Sequence, residues 1–155
     1  MNAELAVFDT NVCLDLFVFH DPATETLLKA INENAIMAIT REDCRTEWER
    51  VLDYPKLALS KTRIRQSRLE FDRFIHLVDL PKRDYRFLPL CSDTDDQKFL
   101  ELAYDSRAKY LFTKDKALLK LARKNKKNGN FQLNRFDGLS KQPVLPFFLP
   151  EMYPL

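Results

Sequence analysis

The stretch Leu5-Ala6-Val7-Phe8-Asp9-Thr10-Asn11 decides the fold. Its first four residues form a continuous apolar run, which is typical of a strand that is covered on both faces in a parallel sheet. The run stops at the turn and capping residues Asp9, Thr10 and Asn11, and the apolar segment from Val12 to Phe19 follows. We therefore predict a buried strand that leads directly into a helix, with an aspartate at the junction.

The rest of the chain repeats this alternation. Ala35 to Ile39 and Tyr110 to Thr113 are further short apolar runs and predict two more buried strands. Capping residues and prolines predict helices over Ala23 to Asn32, from the cap Thr40 to Tyr54-Pro55, over Ser60 to Val78, after Asp93 to Asp96, and after Lys114-Asp115. The tail from Asn125 is rich in proline, and we expect it to be irregular, with a last strand near Val144-Leu145 and a helical turn after Pro146. This order predicts a single α/β domain over residues 1–155 with a central, mainly parallel sheet.

The composition excludes several classes of protein. The 155 residues are 45% hydrophobic and 31% charged, which is typical of a globular domain. No apolar run approaches the roughly 20 residues that cross a bilayer, and the start lacks the features of a secretory signal, so we expect a cytoplasmic protein. Three isolated cysteines and two distant histidines give no zinc motif and no serine–histidine triad. The two glycines lie near the end of the chain, which excludes a glycine-rich nucleotide-binding loop.

Acidic residues recur where strands end and helices begin. Asp9 and Asp115 follow predicted strands, Asp93 to Asp96 begins a helix, and Glu47 lies in the first half of another helix. Ligands of parallel sheets bind at the carboxyl ends of the strands. If these segments meet, each like-charge pair at about 5 Å costs on the order of 3 kcal/mol, so the cluster must take up protons or hold a divalent cation. Carboxylate ligands favour Mg²⁺ or Mn²⁺.

Each acid also has a simpler structural interpretation. Asp9, Asp93 to Asp96 and Asp115 are residues that commonly cap helices, and Glu47 belongs to a helix face rich in charge. Their joint placement at strand ends and helix starts is what favours a shared site.

Four segments, in this order, resemble the four acidic motifs of the PIN-domain family. The segments are Val7 to Asn11, Glu47 to Leu52, Asp93 to Ala103, and Tyr110 to Leu119. Together they extend over about three quarters of the chain. The likeness is greatest to VapC-like ribonucleases, the toxin components of bacterial and archaeal toxin–antitoxin pairs.

The resemblance implies a three-layer α/β/α sandwich and a ribonuclease that depends on one or two Mg²⁺ or Mn²⁺ ions. Its catalytic, metal-binding acids would be Asp9, Glu47, Asp96 and Asp115, with Asp93 as the rival of Asp96 or as an additional ligand. Thr10, Asn11 and Thr113 would orient carboxylates or water. Lys114 departs from the family pattern, because many relatives carry a small residue there. An antitoxin protein and a second copy of the chain are the partners that the resemblance implies.

Basic segments flank the acidic motifs. Nine lysines and arginines lie between Lys56 and Arg86, and nine more lie between Arg107 and Lys127. Such stretches are typical of a surface that binds RNA phosphates, and also of ordinary lysine-rich helix faces. For contact with nucleic acid we select Lys114, Lys116, Arg123 and Lys124. Tyr85, Phe87 or Tyr110 are candidates for base stacking, although for most aromatic residues of the chain the pattern favours core packing.

Two other functions compete with the nuclease. A PIN-like module that binds RNA or a protein without cutting is the first, although all four motif acids are present. The second is a phosphatase of the haloacid-dehalogenase type, which also begins with a strand that ends in aspartate. That chemistry requires a second aspartate two residues later, where this chain has Asn11.

Overall fold

A twisted sheet of five parallel strands forms the centre of the molecule, in the order β3-β2-β1-β4-β5. The structure, a computed structural model, describes residues 3–86, 88–121 and 132–135. The strands are β1 Glu4–Phe8, β2 Ile36–Thr40, β3 Ile75–Leu77, β4 Tyr110–Thr113 and β5 Gln132–Arg135. The longer helices are α1 Thr10–Phe17, α2 Glu25–Asn32, α3 Glu42–Leu52, α4 Lys61–Phe74, α5 Gln97–Ser106 and the short α6 Lys116–Leu119. Single 3₁₀ turns at Pro22–Thr24, Pro55–Leu57 and Thr94–Asp96 complete the described elements.

Both faces of the sheet are covered by helices, each over its own hydrophobic core. Successive residues of β1 alternate between the two cores, with Ala6 and Phe8 in one and Val7 in the other. The first core includes buried side chains of α1 to α4, and the second includes those of α5. The predicted three-layer α/β/α sandwich with a parallel sheet is thereby confirmed.

The α3 helix closes one end of the sheet, since its Cys44 belongs to the second core and its Trp48 to the first. Trp48 stacks on Phe71 of α4 with ring centroids 5.0 Å apart, and Phe17 of α1 meets both rings edge-on. This aromatic cluster fixes the position of α3, the helix that carries Glu47.

Three predicted elements differ from the structure. The helix that we predicted to reach Val78 ends at Phe74, and β3 begins at the next residue and pairs with β2. The apolar residues from Phe71 onward fit a helical period, but pairing of Ile75 with Ala38 extends the sheet. Thr40 does not cap α3: it is the last residue of β2, and the extended residue Arg41 precedes the helix.

The tail contains the third difference. The strand β5 lies in the segment that we expected to be irregular, and it pairs with β4 along its whole length. The strand predicted near Val144-Leu145 and the turn after Pro146 lie outside the described residues. Among the helices that the structure describes, none has the length and apolar character needed to span a membrane.

Phe71 provides a test of the aromatic cluster. We expect Phe71→Ala to lower the free energy of unfolding by about 3–5 kcal/mol, because it removes a buried ring between Trp48 and Phe17. Leu69→Ala on the same helix is the matched control, since Leu69 is 64% exposed, and we expect a change within about 0.5 kcal/mol. Urea unfolding measures both, and equal losses in the two variants would show that the cluster does not stabilise α3 and α4.

Candidate active site

The acidic residues lie at the carboxyl ends of neighbouring strands. Asp9 directly follows β1, Asp115 comes two residues after β4, and these strands pair through Phe8 and Phe112. The start of α5 adds Asp96, and α3 adds Glu47. A cleft of about 280 Å³ opens between them, and its lining includes Asp9, Glu47 and Asp96. The sheet topology therefore brings the predicted segments to one place.

Asp9 is the most deeply buried of these acids, with 3% of its surface exposed. Its Oδ1 accepts a hydrogen bond from the Val12 amide at 2.8 Å and so caps α1. Its Oδ2 accepts hydrogen bonds from the Thr113 hydroxyl and, at 3.3 Å, from the Lys114 amide. Burial raises the pKa of Asp9 to about 6, although the Thr113 hydrogen bond acts in the opposite direction. Asp9 thus caps a helix and also faces the cleft.

Asp93, Asp96 and Asp115 form a cluster of carboxylates, which we call the aspartate trio. One oxygen from each lies within 4.8 Å of the other two. Burial, followed by the hydrogen bond with Asp115, raises the pKa of Asp96 to about 8. The same hydrogen bond lowers the pKa of Asp115, so the two carboxyls share one proton. Both Asp93 and its rival Asp96 belong to the trio.

The trio fits a divalent cation by its donor set and by one unsatisfied atom. The Asp96 Oδ2 is buried and has no hydrogen-bond partner among the residues that the structure describes. A buried carboxylate oxygen without a donor is costly. A hard cation satisfies several carboxylate oxygens at once and removes the need for a shared proton.

Glu47 lies outside the trio, although it lines the same cleft. Its Oε1 accepts a hydrogen bond from the Lys98 ammonium at 2.8 Å, and its Oε2 accepts one from the Thr10 hydroxyl. Lys98 also donates to the backbone oxygen of Asp95 at 2.5 Å. Both oxygens of Glu47 are therefore already engaged by side chains of this chain.

Lys98 is the residue of the site that the sequence analysis missed. It lies in the first turn of α5, where the helix dipole disfavours a cation. A lysine at that position, two residues after Asp96, indicates a carboxylate partner from elsewhere in the fold. The sequence therefore indicated that Lys98 has a carboxylate partner. It did not show that the partner is Glu47, because that contact depends on how α3 packs against α5.

The remaining predicted site residues lie outside the aspartate trio. The Thr10 hydroxyl donates a hydrogen bond to Glu47, and the Thr113 hydroxyl donates one to Asp9. Asn11 is exposed at the cleft. Lys114 pairs with the buried carboxylate of Asp15 at 2.9 Å, so its charge is balanced within the chain. Lys116 is exposed on α6. Arg123 and Lys124 lie outside the described residues.

Two of the three aromatic residues considered for base stacking lie among the described residues, and both pack within the chain. Tyr110 is buried and stacks on Phe112 in the first core, so for this residue core packing holds and base stacking does not. The Tyr85 hydroxyl donates to Asp105 at 2.5 Å, and its ring meets Tyr104 edge-on. Phe87 lies outside the described residues.

Comparisons with known proteins concern the family and the fold of the chain. The family model described as PIN domain matches residues 6–117. The fold is similar to that of a chain in the crystal structure of VapBC2 from Rickettsia felis bound to a DNA fragment from their promoter, with a TM-score of 0.60 and 17% sequence identity. That alignment covers 86% of this chain and 99% of the other. None of the curated proteins matches the sequence.

The raised pKa values of Asp9 and Asp96 predict a stability that falls as pH rises. Without metal, the folded protein keeps protons on these carboxyls up to about pH 6 and pH 8, whereas the unfolded chain releases them near pH 3.8. The free energy of unfolding therefore decreases from about pH 4 to pH 8. Asp115, whose pKa is lowered, changes the free energy of unfolding only below about pH 4. We expect Asp96→Asn to make the free energy of unfolding less dependent on pH and to raise its value at pH 8.

Urea unfolding in EDTA at pH 5 and pH 8 measures this effect. The neighbouring exposed residue Asp95 gives the matched control, and Asp95→Asn should keep the dependence of the parent protein. An Asp96→Asn protein with the same pH dependence as the parent would contradict the burial of this charge.

Proposed function

The chain belongs to the PIN-domain family, and on that basis we propose that it is a metal-dependent nuclease that hydrolyses phosphodiester bonds of RNA. The observation that carries the proposal is the aspartate trio beside the buried Asp9, with one Asp96 oxygen left without a hydrogen-bond donor. Like-charged carboxylates gathered in this way are typical of sites that bind Mg²⁺ or Mn²⁺. This observation also separates the proposal from a binding module, which does not need such a cluster.

Asp96, Asp115 and Asp93 are the residues that would hold the ion, with Asp9 at the adjoining wall of the cleft. When bound, Mg²⁺ or Mn²⁺ supplies positive charge for the scissile phosphate and lowers the pKa of water for the attack. The Asp96 carboxyl must release its proton before it can act as a ligand. We therefore expect ion binding to release protons.

The threonines fix the carboxylates before any substrate arrives. The Thr113 hydroxyl donates to Asp9, and its oxygen accepts a hydrogen bond from the Asp115 amide at 2.9 Å. One side chain thereby orients acids from two strands. Such preorganisation is what a site needs in order to stabilise the charge that develops during phosphoryl transfer.

Glu47 and Lys98 form a second polar unit at the cleft. Because both oxygens of Glu47 are hydrogen-bonded, we assign it an orienting role rather than a place among the ligands of the trio. The Lys98 ammonium is balanced by Glu47, whereas the exposed Lys56 and Lys116 supply positive charges at the surface. These charges favour an RNA substrate that must approach an acidic cleft.

Removal of metal provides the direct test of the nuclease. We expect Mn²⁺-dependent cleavage of a single-stranded RNA, its loss in EDTA, and its recovery on addition of excess Mn²⁺. Asp96→Asn should lower kcat by at least about 100-fold, because loss of a preorganised charged group typically costs that much. Gel analysis of labelled RNA measures the rates.

Asp95→Asn is the control, since it removes an acid of the same turn whose side chain lies outside the trio. We expect its rate to stay within about twofold of the parent rate. Calorimetric titration with Mn²⁺ supplies an independent readout, in which Asp96→Asn weakens binding and Asp95→Asn does not. Cleavage that persists in EDTA and in Asp96→Asn would overturn the proposal.

We further propose that the chain is the toxin of a toxin–antitoxin pair. The similarity of its fold to a chain of the VapBC2 complex supports this assignment. In such a pair an antitoxin protein covers the cleft, and a cytoplasmic location follows from an RNA target in the cell. Association with a second copy of the chain remains a prediction from the family resemblance.

Expression in a bacterial host tests the toxin assignment. We expect induction of the parent protein to arrest growth within a few cell doublings, because cleavage of essential RNA stops translation. Asp96→Asn should permit growth, and Asp95→Asn should arrest it as the parent does. Unimpaired growth with soluble parent protein that cuts RNA in vitro would refute the toxin role and leave the nuclease intact.

A further inference from the structure

The lining of the cleft contains apolar residues as well as acids. Beside Asp9, Glu47 and Asp96 it includes Leu14, Val51, Tyr54, Leu57 and the aliphatic stem of Lys56. A metal ion and a phosphate are bound by the acids and do not use the apolar residues. The apolar part of the lining is therefore available to a different part of the substrate.

Tyr54 is the residue of this apolar lining with the greatest potential for contact. Its side chain is 48% exposed, and no aromatic contact to its ring is recorded among the residues that the structure describes. Its backbone is fixed, because its amide donates to the Val51 oxygen at 3.0 Å and its own oxygen accepts from the Leu57 amide at 3.0 Å. Tyr54 thus presents an aromatic ring at a defined place beside the acids.

A single exposed aromatic ring is common on protein surfaces, so what distinguishes Tyr54 is its place in the lining of the cleft. Phe19 is the other strongly exposed aromatic side chain of the described residues, at 57%, and it does not line the cleft. The two residues therefore form a natural comparison between an exposed ring inside the cleft and one outside it.

The dimensions and chemistry of the apolar lining fit one nucleobase. A volume of about 280 Å³ is close to the lower limit of pockets that hold small ligands, and is thus of the size that accepts a single base. Bases of single strands stack on aromatic rings in proteins that bind RNA, whereas the bases of an A-form duplex are already paired and stacked. Val51 and Leu57 extend the apolar surface next to the ring.

We propose that Tyr54, with Val51 and Leu57, forms a nucleobase subsite beside the acids. An unpaired base stacks on Tyr54, the adjoining phosphate lies at the aspartate trio, and Lys56 contacts a neighbouring phosphate. The proposal rests on the proposed function for the place of the scissile phosphate. The stacking contact itself concerns binding and does not require cleavage.

Binding to RNA that remains uncut tests the subsite. The Asp96→Asn protein serves as the background, and fluorescence anisotropy follows its binding to a labelled 12-nucleotide RNA in single-stranded and in fully duplex form. Tyr54→Leu introduced into the Asp96→Asn protein should raise the Kd for the single strand about tenfold, which corresponds to about 1.4 kcal/mol of binding free energy. Tyr54→Phe keeps the ring and should change the Kd by less than about twofold. Phe19→Leu is the matched control for loss of an exposed ring, and we expect no change.

A strand with abasic positions tests the same contact without altering the protein. Replacing each nucleotide of the RNA in turn by an abasic residue should weaken binding about tenfold at one position next to the cleavage point, and the effect should vanish in Tyr54→Leu. Because Tyr54 is half exposed, we expect its replacement to leave the melting temperature nearly unchanged. The duplex should bind weakly in every variant.

Equal binding of single strand and duplex, or an unchanged Kd in Tyr54→Leu, would overturn the subsite. If the parent protein still cuts RNA in Mn²⁺, that result leaves the nuclease proposal standing. Conversely, binding that depends on Tyr54 in a parent protein that never cuts RNA would support the subsite and refute the nuclease.

Discussion

The contact between the ends of β1 and β4 is the interaction on which the site depends. Parallel pairing of Phe8 with Phe112 places Asp9 beside Thr113, and the threonine hydroxyl then joins Asp9 to the backbone of Asp115. Residues more than a hundred positions apart in sequence thereby share one hydrogen-bonded unit. A one-residue shift of register between the two strands would move every side chain of the shifted strand to the opposite face and separate the acids. The buried apolar residues of both strands prevent such a shift.

The protein tolerates its concentrated negative charge in three distinct ways. Asp9 is satisfied by backbone and hydroxyl donors, and Glu47 and Asp15 each have a lysine. Asp96 and Asp115 instead share a proton. In the third arrangement a metal ion can replace the proton without breaking a salt bridge. The trio is therefore the part of the proposed site where a cation would meet several carboxylate oxygens at once, and the quartet expected from sequence stays a prediction.

The sequence pattern predicted an α/β domain with a parallel sheet, its three central strands and the segments that supply the acids, because short continuous apolar runs alternate with helical patterns. The three-layer sandwich was implied by the resemblance to the PIN-domain family. The sequence pattern could not predict β3, since Phe71, Phe74, Ile75 and Val78 satisfy a helical period and only pairing with β2 makes Ile75 part of a strand. Lys98 and Tyr54 were missed for a similar reason. Their roles depend on which helix packs beside them, and the local sequence does not contain that information. The assignment of catalytic roles to the acids remains a prediction.

The two interpretations of these aspartates, as helix caps and as site residues, are compatible because a carboxylate has two oxygens. Asp9 uses Oδ1 to cap α1, Asp115 uses Oδ1 to accept a hydrogen bond from Ala117 at 2.6 Å, and Asp93 uses Oδ1 for the Asp95 amide at 3.1 Å. Each cap fixes the side chain and leaves the second oxygen for another contact. A capped carboxylate has already lost its rotational freedom, so a cation that binds there does not have to order it. The capping sequence is therefore a means of preorganising the site.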